Sequence, residues 1–296
     1  MRAAKSLRVL ADVTAIGLFL VIVMGSLVTN TGSGRGCGGT WPLCNGRFEP
    51  GLALTSLIEF SHRAVASFVG LLTAVLAVWA WLAVKRPRVR LLAAVGLSFV
   101  IVQGLLGAAD VLWPEAPAVL ALHYGFSLIA FAGVLLLAIE LRGARAESAP
   151  RPFRTLAWVT LAYTYALVYL GAYVSHSGAA LGCRGWPLCN GQLIPSAMDG
   201  LTAVAFAHRV AVLGLTALVA WLVVAARRSS PALHQAAQLA AVLVVLQALS
   251  GAWIVNSGVS LGSELTHGSL IALLFGCLTY IPLAAGSAGA AARSPS

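Results

Sequence analysis

The sequence predicts an all-α integral membrane protein, with eight transmembrane helices forming two tandem, pseudo-symmetric four-helix bundles. Three observations predict it. The 296-residue chain carries only 19 basic and nine acidic residues, 9% in all, where a soluble domain runs at about 25%. Its apolar residues gather into eight runs, each close to the roughly 20 residues that cross a bilayer. The chain is also written twice at a nearly constant offset. A soluble globular enzyme is excluded, as is a disordered or fibrous chain.

The runs fall at about 13–30, 58–84, 91–112, 119–141, 155–175, 203–226, 234–256 and 263–285. Backbone polar groups in lipid must be satisfied within their own segment, so the runs are expected to be helices. The short alternating segments of a β-barrel are missing. The net charge of +10 does not point to nucleic acid, because its carriers sit in short loops between apolar runs. Arg2, Lys5, Arg8, Lys85, Arg86, Arg88, Arg90, Arg142, Arg145, Arg151, Arg154, Arg227, Arg228 and Arg293 all fall on one side, 14 of the 19 basic residues. Arg35, Arg47, Arg63, Arg184 and Arg209 fall on the other. The positive-inside bias then puts both termini in the cytoplasm. The first run resembles a signal peptide, but its repeat counterpart is the fifth run, in mid-chain, so it is expected to be retained.

The repeat is legible residue by residue. Trp41-Pro42-Leu43-Cys44-Asn45-Gly46 returns as Trp186-Pro187-Leu188-Cys189-Asn190-Gly191, His62-Arg63 as His208-Arg209, Gln103 and Gly107 as Gln247 and Gly251, and His123 as His267. The offsets are 145, 146, 144 and 144. Four spans per half keep both halves in one orientation, a parallel repeat. The expected halves are residues 1–145 and 146–296, two bundles side by side joined by the basic stretch 143–152.

Cys37 and Cys44 flank the first large outer loop, and Cys183 and Cys189 flank its repeat. All four fall on the non-cytoplasmic side, where disulfides persist. Two short disulfides, Cys37–Cys44 and Cys183–Cys189, are expected, the first with a potential redox role. Metal binding is the alternative, and it is disfavoured because the spacing exceeds the two-to-four-residue gap of zinc sites. Cys277, in the last span, is expected to be a buried packing residue.

His62, His123, His208 and His267 lie just inside the outer ends of spans two, four, six and eight. In an up-down-up-down bundle those helices are diagonal and parallel within each half, so their histidines face each other at one depth. That geometry suits two axial ligands of a haem, one haem per half. Each histidine could instead be a satisfied polar residue between helices, but ionisable residues inside a membrane are costly and default to function. His176 and His234 have no histidine partner in the repeat and are expected at surfaces or interfaces.

Glu59 stands three residues before His62, on the same helix face, where the other half has Ala205. It could serve chemistry, or complete a capping box with Ser56. Glu264, three before His267, suits the helix dipole, with proton handling as the alternative. Arg63 and Arg209 could pair with haem propionates or lie along the interface.

Taken together, Glu59-Phe60-Ser61-His62-Arg63, the loop Thr29-Asn30-Thr31-Gly32-Ser33-Gly34 with Cys37 and Trp41-Pro42-Leu43-Cys44, the eight spans and the four histidines resemble the haem A synthase family over nearly the whole chain. Gly38-Gly39-Thr40 departs slightly from its loop pattern. The resemblance implies oxidation of the C8 ring methyl of haem O to a formyl group by successive hydroxylations and loss of water. It implies haem O on His62 and His123, an electron-carrying haem b on His208 and His267, and Glu59 as the catalytic acid–base or charge-stabilising group. It further implies a cell-membrane protein with its haem sites towards the outer face. The expected partners are a haem O synthase, an electron-transfer partner and the lipid, with no nucleic acid. Two other classes compete: a di-haem cytochrome b that only passes electrons, which leaves the one-sided Glu59 unexplained, and a membrane thiol oxidoreductase, which leaves the histidines unexplained.

Overall fold

In a computed structural model the chain is described for residues 2–113, 116–144 and 147–286. Eight long helices account for it: α1 Arg2–Asn30, α2 Leu54–Ala83, α3 Pro87–Leu112, α4 Pro117–Leu141, α5 Arg151–His176, α6 Gly200–Ala226, α7 Pro231–Asn256 and α8 Leu261–Ala284. All eight are long and apolar enough to cross a membrane, as expected of the predicted class. Two two-residue strands, β1 Glu147–Ser148 and β2 Ala285–Gly286, and a short 3-10 turn at Ala179–Leu181 complete the described elements. Arg145 and Arg293, used above for orientation, lie outside the described residues, as does Ala146 at the expected boundary.

The helices run further than the apolar runs. α1 begins at Arg2, α2 at Leu54 and α6 at Gly200. A helix need not stop where lipid does, because its backbone bonds are internal and its polar first turn can stand in water. Local sequence sets the starts. Proline occupies the first or second position of α3, α4, α5 and α7, where its missing N–H costs nothing. Asp199 caps α6 by accepting from the Thr202 N–H at 2.7 Å, and the Ser230 hydroxyl accepts from the Leu233 N–H at 3.3 Å to open α7.

The chain divides into two compact units, Met1–Gly143 and Ala144–Ser296. In the first, α1 packs on α2 and α4, and α3 packs on α2 and α4. This ring leaves α2 and α4 on its diagonal. The second unit repeats the ring with α5, α6, α7 and α8, leaving α6 and α8 diagonal. Lipid supplies no hydrophobic drive between helices, so close packing has to hold them. Gly96 of α3 provides it in the first unit: a Cβ there would lie 2.9 Å from Val134 of α4. The inward stripe of α2 is Val69, Thr73, Leu76, Ala77 and Ala80, while Phe68, Leu71, Val75, Val78 and Leu82 are exposed, as suits a lipid-facing side. Buried hydroxyls are satisfied along their own helix: Thr73 donates to the Val69 carbonyl and Thr164 to the Thr160 carbonyl, at 2.8 and 2.7 Å.

The basic-loop end is stitched. In the first unit Arg8 donates to the Leu141 carbonyl at 2.9 Å, Arg142 pairs with Asp12, and Arg88 meets Glu140 at 2.7 Å. In the second unit β1 and β2 pair in parallel, and the Ser230 N–H donates to the Ser148 carbonyl at 3.2 Å. The apolar core of the second unit lies towards this end, around Phe153, Leu222, Leu233, Leu278 and Ile281. The histidines lie towards the other.

Candidate functional site

His62 stands eight residues into α2 and His208 eight into α6, while His123 and His267 stand six into α4 and α8. At 1.5 Å per residue these are depths of roughly 9 to 12 Å below the helix starts. Each imidazole is seated on a glycine of the preceding helix. A Cβ on Gly25 of α1 would lie 3.4 Å from Cε1 of His62, and one on Gly107 of α3 would lie 3.6 Å from Cε1 of His123. One on Gly171 of α5 would lie 2.9 Å from Cε1 of His208, and one on Gly251 of α7 would lie 3.4 Å from Cε1 of His267. At Gly171 a Cβ would clash with the ring, and at the other three it would fill the contact distance that the glycine leaves beside it. The four glycines were not assigned a role from the sequence. A signal was there, because Gly25 and Gly171 share the 146-residue offset of their histidines and Gly107 and Gly251 the offset of 144.

The imidazoles are half-buried. Nδ1 of His62 and of His208 is enclosed and has no hydrogen-bond partner among the described residues. A buried polar atom is normally paired, so two such rings in equivalent places suggest groups kept for a ligand. His208 and His267 are close enough to interact electrostatically, which fits diagonal helices facing one interior. Two imidazoles on opposite sides of a bundle form a donor set that suits haem iron, and the glycine seats spare the space beside each ring.

The cysteine loops lock onto the histidine helices in the same way in both units. Cys37 is bonded to Cys44 with Cα atoms 4.4 Å apart, and Cys183 to Cys189 with Cα atoms 4.5 Å apart. Both loops contain a cis Trp-Pro bond, at Trp41-Pro42 and Trp186-Pro187, and a left-handed asparagine, Asn45 or Asn190. Ser56 donates to the Gly36 carbonyl at 2.5 Å, as Thr202 does to Gly182 at 3.1 Å. Gly182 is required there, since a Cβ would lie 2.6 Å from the Leu201 carbonyl oxygen.

The two units differ at the carboxylate beneath the first cysteine loop. Glu59 is 3% exposed. Its Oε2 accepts from the Cys37 N–H at 2.7 Å, and its Oε1 accepts from the Arg63 guanidinium. The capping box is not formed: the N-cap of α2 is Ala53, with no side-chain cap, and the Ser56 hydroxyl is spent on Gly36. A chain that enters α2 at Leu54 puts Ser56 too deep to cap it. In the second unit Ala205 fills the place of Glu59 and is buried. The arginines take a role that sequence reasoning did not include. Arg63 donates to the Thr40 and Leu43 carbonyls at 2.8 and 3.1 Å, and Arg209 to the Leu188 and Cys183 carbonyls at 2.8 and 2.6 Å. Both pin the disulfide loop to the histidine helix.

Other sequence-level candidates stand apart from these contacts. Glu264 lies in the first turn of α8, where a carboxylate suits the helix dipole. His176 ends α5 and His234 lies near the start of α7. Cys277 is half-buried and donates to the Ala236 carbonyl at 3.4 Å.

Fold and site define a class: polytopic membrane proteins built from a duplicated four-helix unit, with a histidine on each diagonal helix and a disulfide loop above each pair. Residues 52–279 match the family model described as cytochrome oxidase assembly protein. The chain is 41% identical to the haem A synthase of Shouchella clausii over 291 residues, covering 94% of this chain and 96% of the relative. It is 40% identical to that of Alkalihalophilus pseudofirmus over 290 residues, 94% of this chain and 97% of the relative. It is 39% identical to that of Symbiobacterium thermophilum over 292 residues, 94% of each. The chain belongs to the cytochrome oxidase assembly protein family, among the haem A synthases.

Proposed function

We propose that the chain makes haem A by oxidising the C8 ring methyl of haem O to a formyl group. The observation that carries this is the four histidines in two duplicated pairs, each ring seated on a glycine, in a chain about 40% identical along nearly its whole length to proteins named haem A synthase. His62 and His123 hold haem O as substrate in the half spanning residues 1–145. His208 and His267 hold a resident haem b in the half spanning 146–296. The net change, methyl plus water to formyl, proceeds by successive hydroxylations and loss of water. It releases four electrons and four protons, so the reaction needs an exit for electrons. The haem b provides electron transfer when bound, because imidazole-ligated iron changes oxidation state without changing its ligands.

The chain's own residues supply the rest. The glycine seats and diagonal helices orient the rings. Glu59, beside the first pair alone, serves as the acid–base or charge-stabilising group, and Arg63 holds it. Arg63 and Arg209 are also near enough to their histidines in sequence to meet a propionate. The basic loops lie in the cytoplasm with both termini, and the histidine end faces outwards, in the cell membrane. A haem O synthase supplying substrate and an electron-accepting partner complete the system. In a di-haem cytochrome b that only passes electrons, Glu59 would serve its loop contacts alone. Pigment analysis decides. Haems are extracted from membranes expressing the chain together with a source of haem O. A formyl haem is the expected product; unchanged haems assign a cytochrome, and the absence of haem assigns a thiol oxidoreductase.

A further inference from the structure

The imidazole of His267 is held by a side chain of the helix on which it is seated. Ser250 of α7 is 4% exposed, and its oxygen lies 2.8 Å from Nδ1 of His267 and 2.8 Å from the Gln247 carbonyl oxygen. A hydroxyl has one hydrogen and two lone pairs. A carbonyl can only accept, so the Ser250 hydrogen belongs to Gln247. Towards His267 the hydroxyl can then only accept, so Nδ1 carries the proton. The remaining ring nitrogen, Nε2, is left with its lone pair free. Gly251, the next residue, holds the same ring from below: its Cβ position is 3.4 Å from Cε1 and 3.8 Å from Nδ1. Consecutive residues of α7 thus set both the ring's tautomer and its place.

We propose that Ser250 is a positioning residue that locks His267 as the Nδ1–H tautomer, presenting Nε2 to the iron of a resident haem. This deepens the proposed function and rests on its reading of His208 and His267 as haem ligands. The position equivalent to Ser250 in the first unit is Leu106, whose side chain can neither accept nor donate. A permanent haem ligand benefits from a ring held by a hydrogen bond, which also raises its basicity.

The test uses the full-length holoprotein in lipid nanodiscs. Ser250→Ala removes the acceptor with little change in volume, and Ser250→Thr restores a hydroxyl. The readouts are the reduction potential and ferric electron paramagnetic resonance spectrum of the haem on His208 and His267, and the rate at which apomyoglobin strips it. Ser250→Ala should raise the potential, because a less basic imidazole favours ferric iron less. It should also weaken haem retention by about 10- to 100-fold, the usual range for a lost outer-shell partner. Ser250→Thr should return both towards the parent. Parent-like potential, spectrum and retention in Ser250→Ala would overturn the proposal, and so would a Thr variant as impaired as the Ala variant, since the hydroxyl would then not be the cause. His208→Ala and His267→Ala separate the two levels. If neither loses haem, the reading of those residues as ligands fails. If both lose it while Ser250→Ala does not differ from the parent, only the role of Ser250 fails.

Discussion

Replacing Glu59 by glutamine separates chemistry from architecture. The carboxylate now accepts two hydrogen bonds, from the Cys37 N–H and from Arg63. Glutamine has one acceptor oxygen and an NH2 that can only donate, so it satisfies one of these donors and opposes the other. The loss is one charge-assisted bond, about 1.5–3 kcal/mol. The larger 3–5 kcal/mol of an orphaned buried ion is not reached, because Arg63 keeps the Thr40 and Leu43 carbonyls. An eight-helix protein should survive that, and both haems should remain. A lost acid–base group costs about 10²–10⁴-fold in rate. The assay is the haem A formed per unit of protein from supplied haem O, with haem content and thermal stability measured on the same sample. Glu59→Gln is expected to fold, keep its haems and convert almost no haem O, with partly oxidised product accumulating where the second oxidation leans harder on the carboxylate. Conversion at close to the parent rate would refute a chemical role. Arg63→Ala removes both the loop contacts and the partner of the carboxylate, so it is expected to lower conversion and thermal stability together.

Gly171→Ala should displace His208, because its Cβ would lie 2.9 Å from Cε1, and should strip the haem of the second unit; Gly104→Ala, with nothing within 4 Å, should leave the haem spectrum unchanged. The four loop cysteines should resist thiol reagents on intact cells and label only after reduction, and ready labelling without reductant would contradict the bonds. Asp199 gives a pH-dependent contribution. The Thr202 N–H holds its carboxyl below the ordinary carboxylate value, followed by the Thr202 side chain, against a small opposing effect of burial. A depressed folded pKa stabilises above the unfolded value, about 3.9, and that stability is lost as pH falls through the folded value. The melting-temperature gap between the parent and Asp199→Ala should therefore be present at neutral pH and shrink below about pH 4.

The spans and the duplicated register were legible because each leaves a one-dimensional trace: apolar runs of bilayer length, and a repeat that carries His62 onto His208 and His123 onto His267. What the sequence concealed was contact between distant residues. Glu59 and the Cys37 amide are 22 residues apart, and no local pattern announces a carboxylate that holds a loop. The capping-box reading of Ser56 and Glu59 failed because α2 starts a turn earlier than its apolar run, in residues whose polarity disguises them. The glycine seats fell between these cases, since their register could be read but their purpose could not. Ser250 left no trace in the repeat, because its counterpart is Leu106.

The stitches at the basic end make each half a closed circle. α1 lies beside α4 and α5 beside α8. Arg8 with Leu141 and Arg142 with Asp12 join first helix to last in one unit, and β1 with β2 does the same in the other. A closed unit has no fixed beginning. The peptide between residues 143 and 147 joins two finished objects, so cutting it removes none of these bonds, and the two pieces could be supplied as separate chains. The same closure suggests how such a protein could arise: one gene for a single ring, copied end to end, needs only a linker, after which either copy is free to gain a carboxylate or a hydroxyl that the other never acquires.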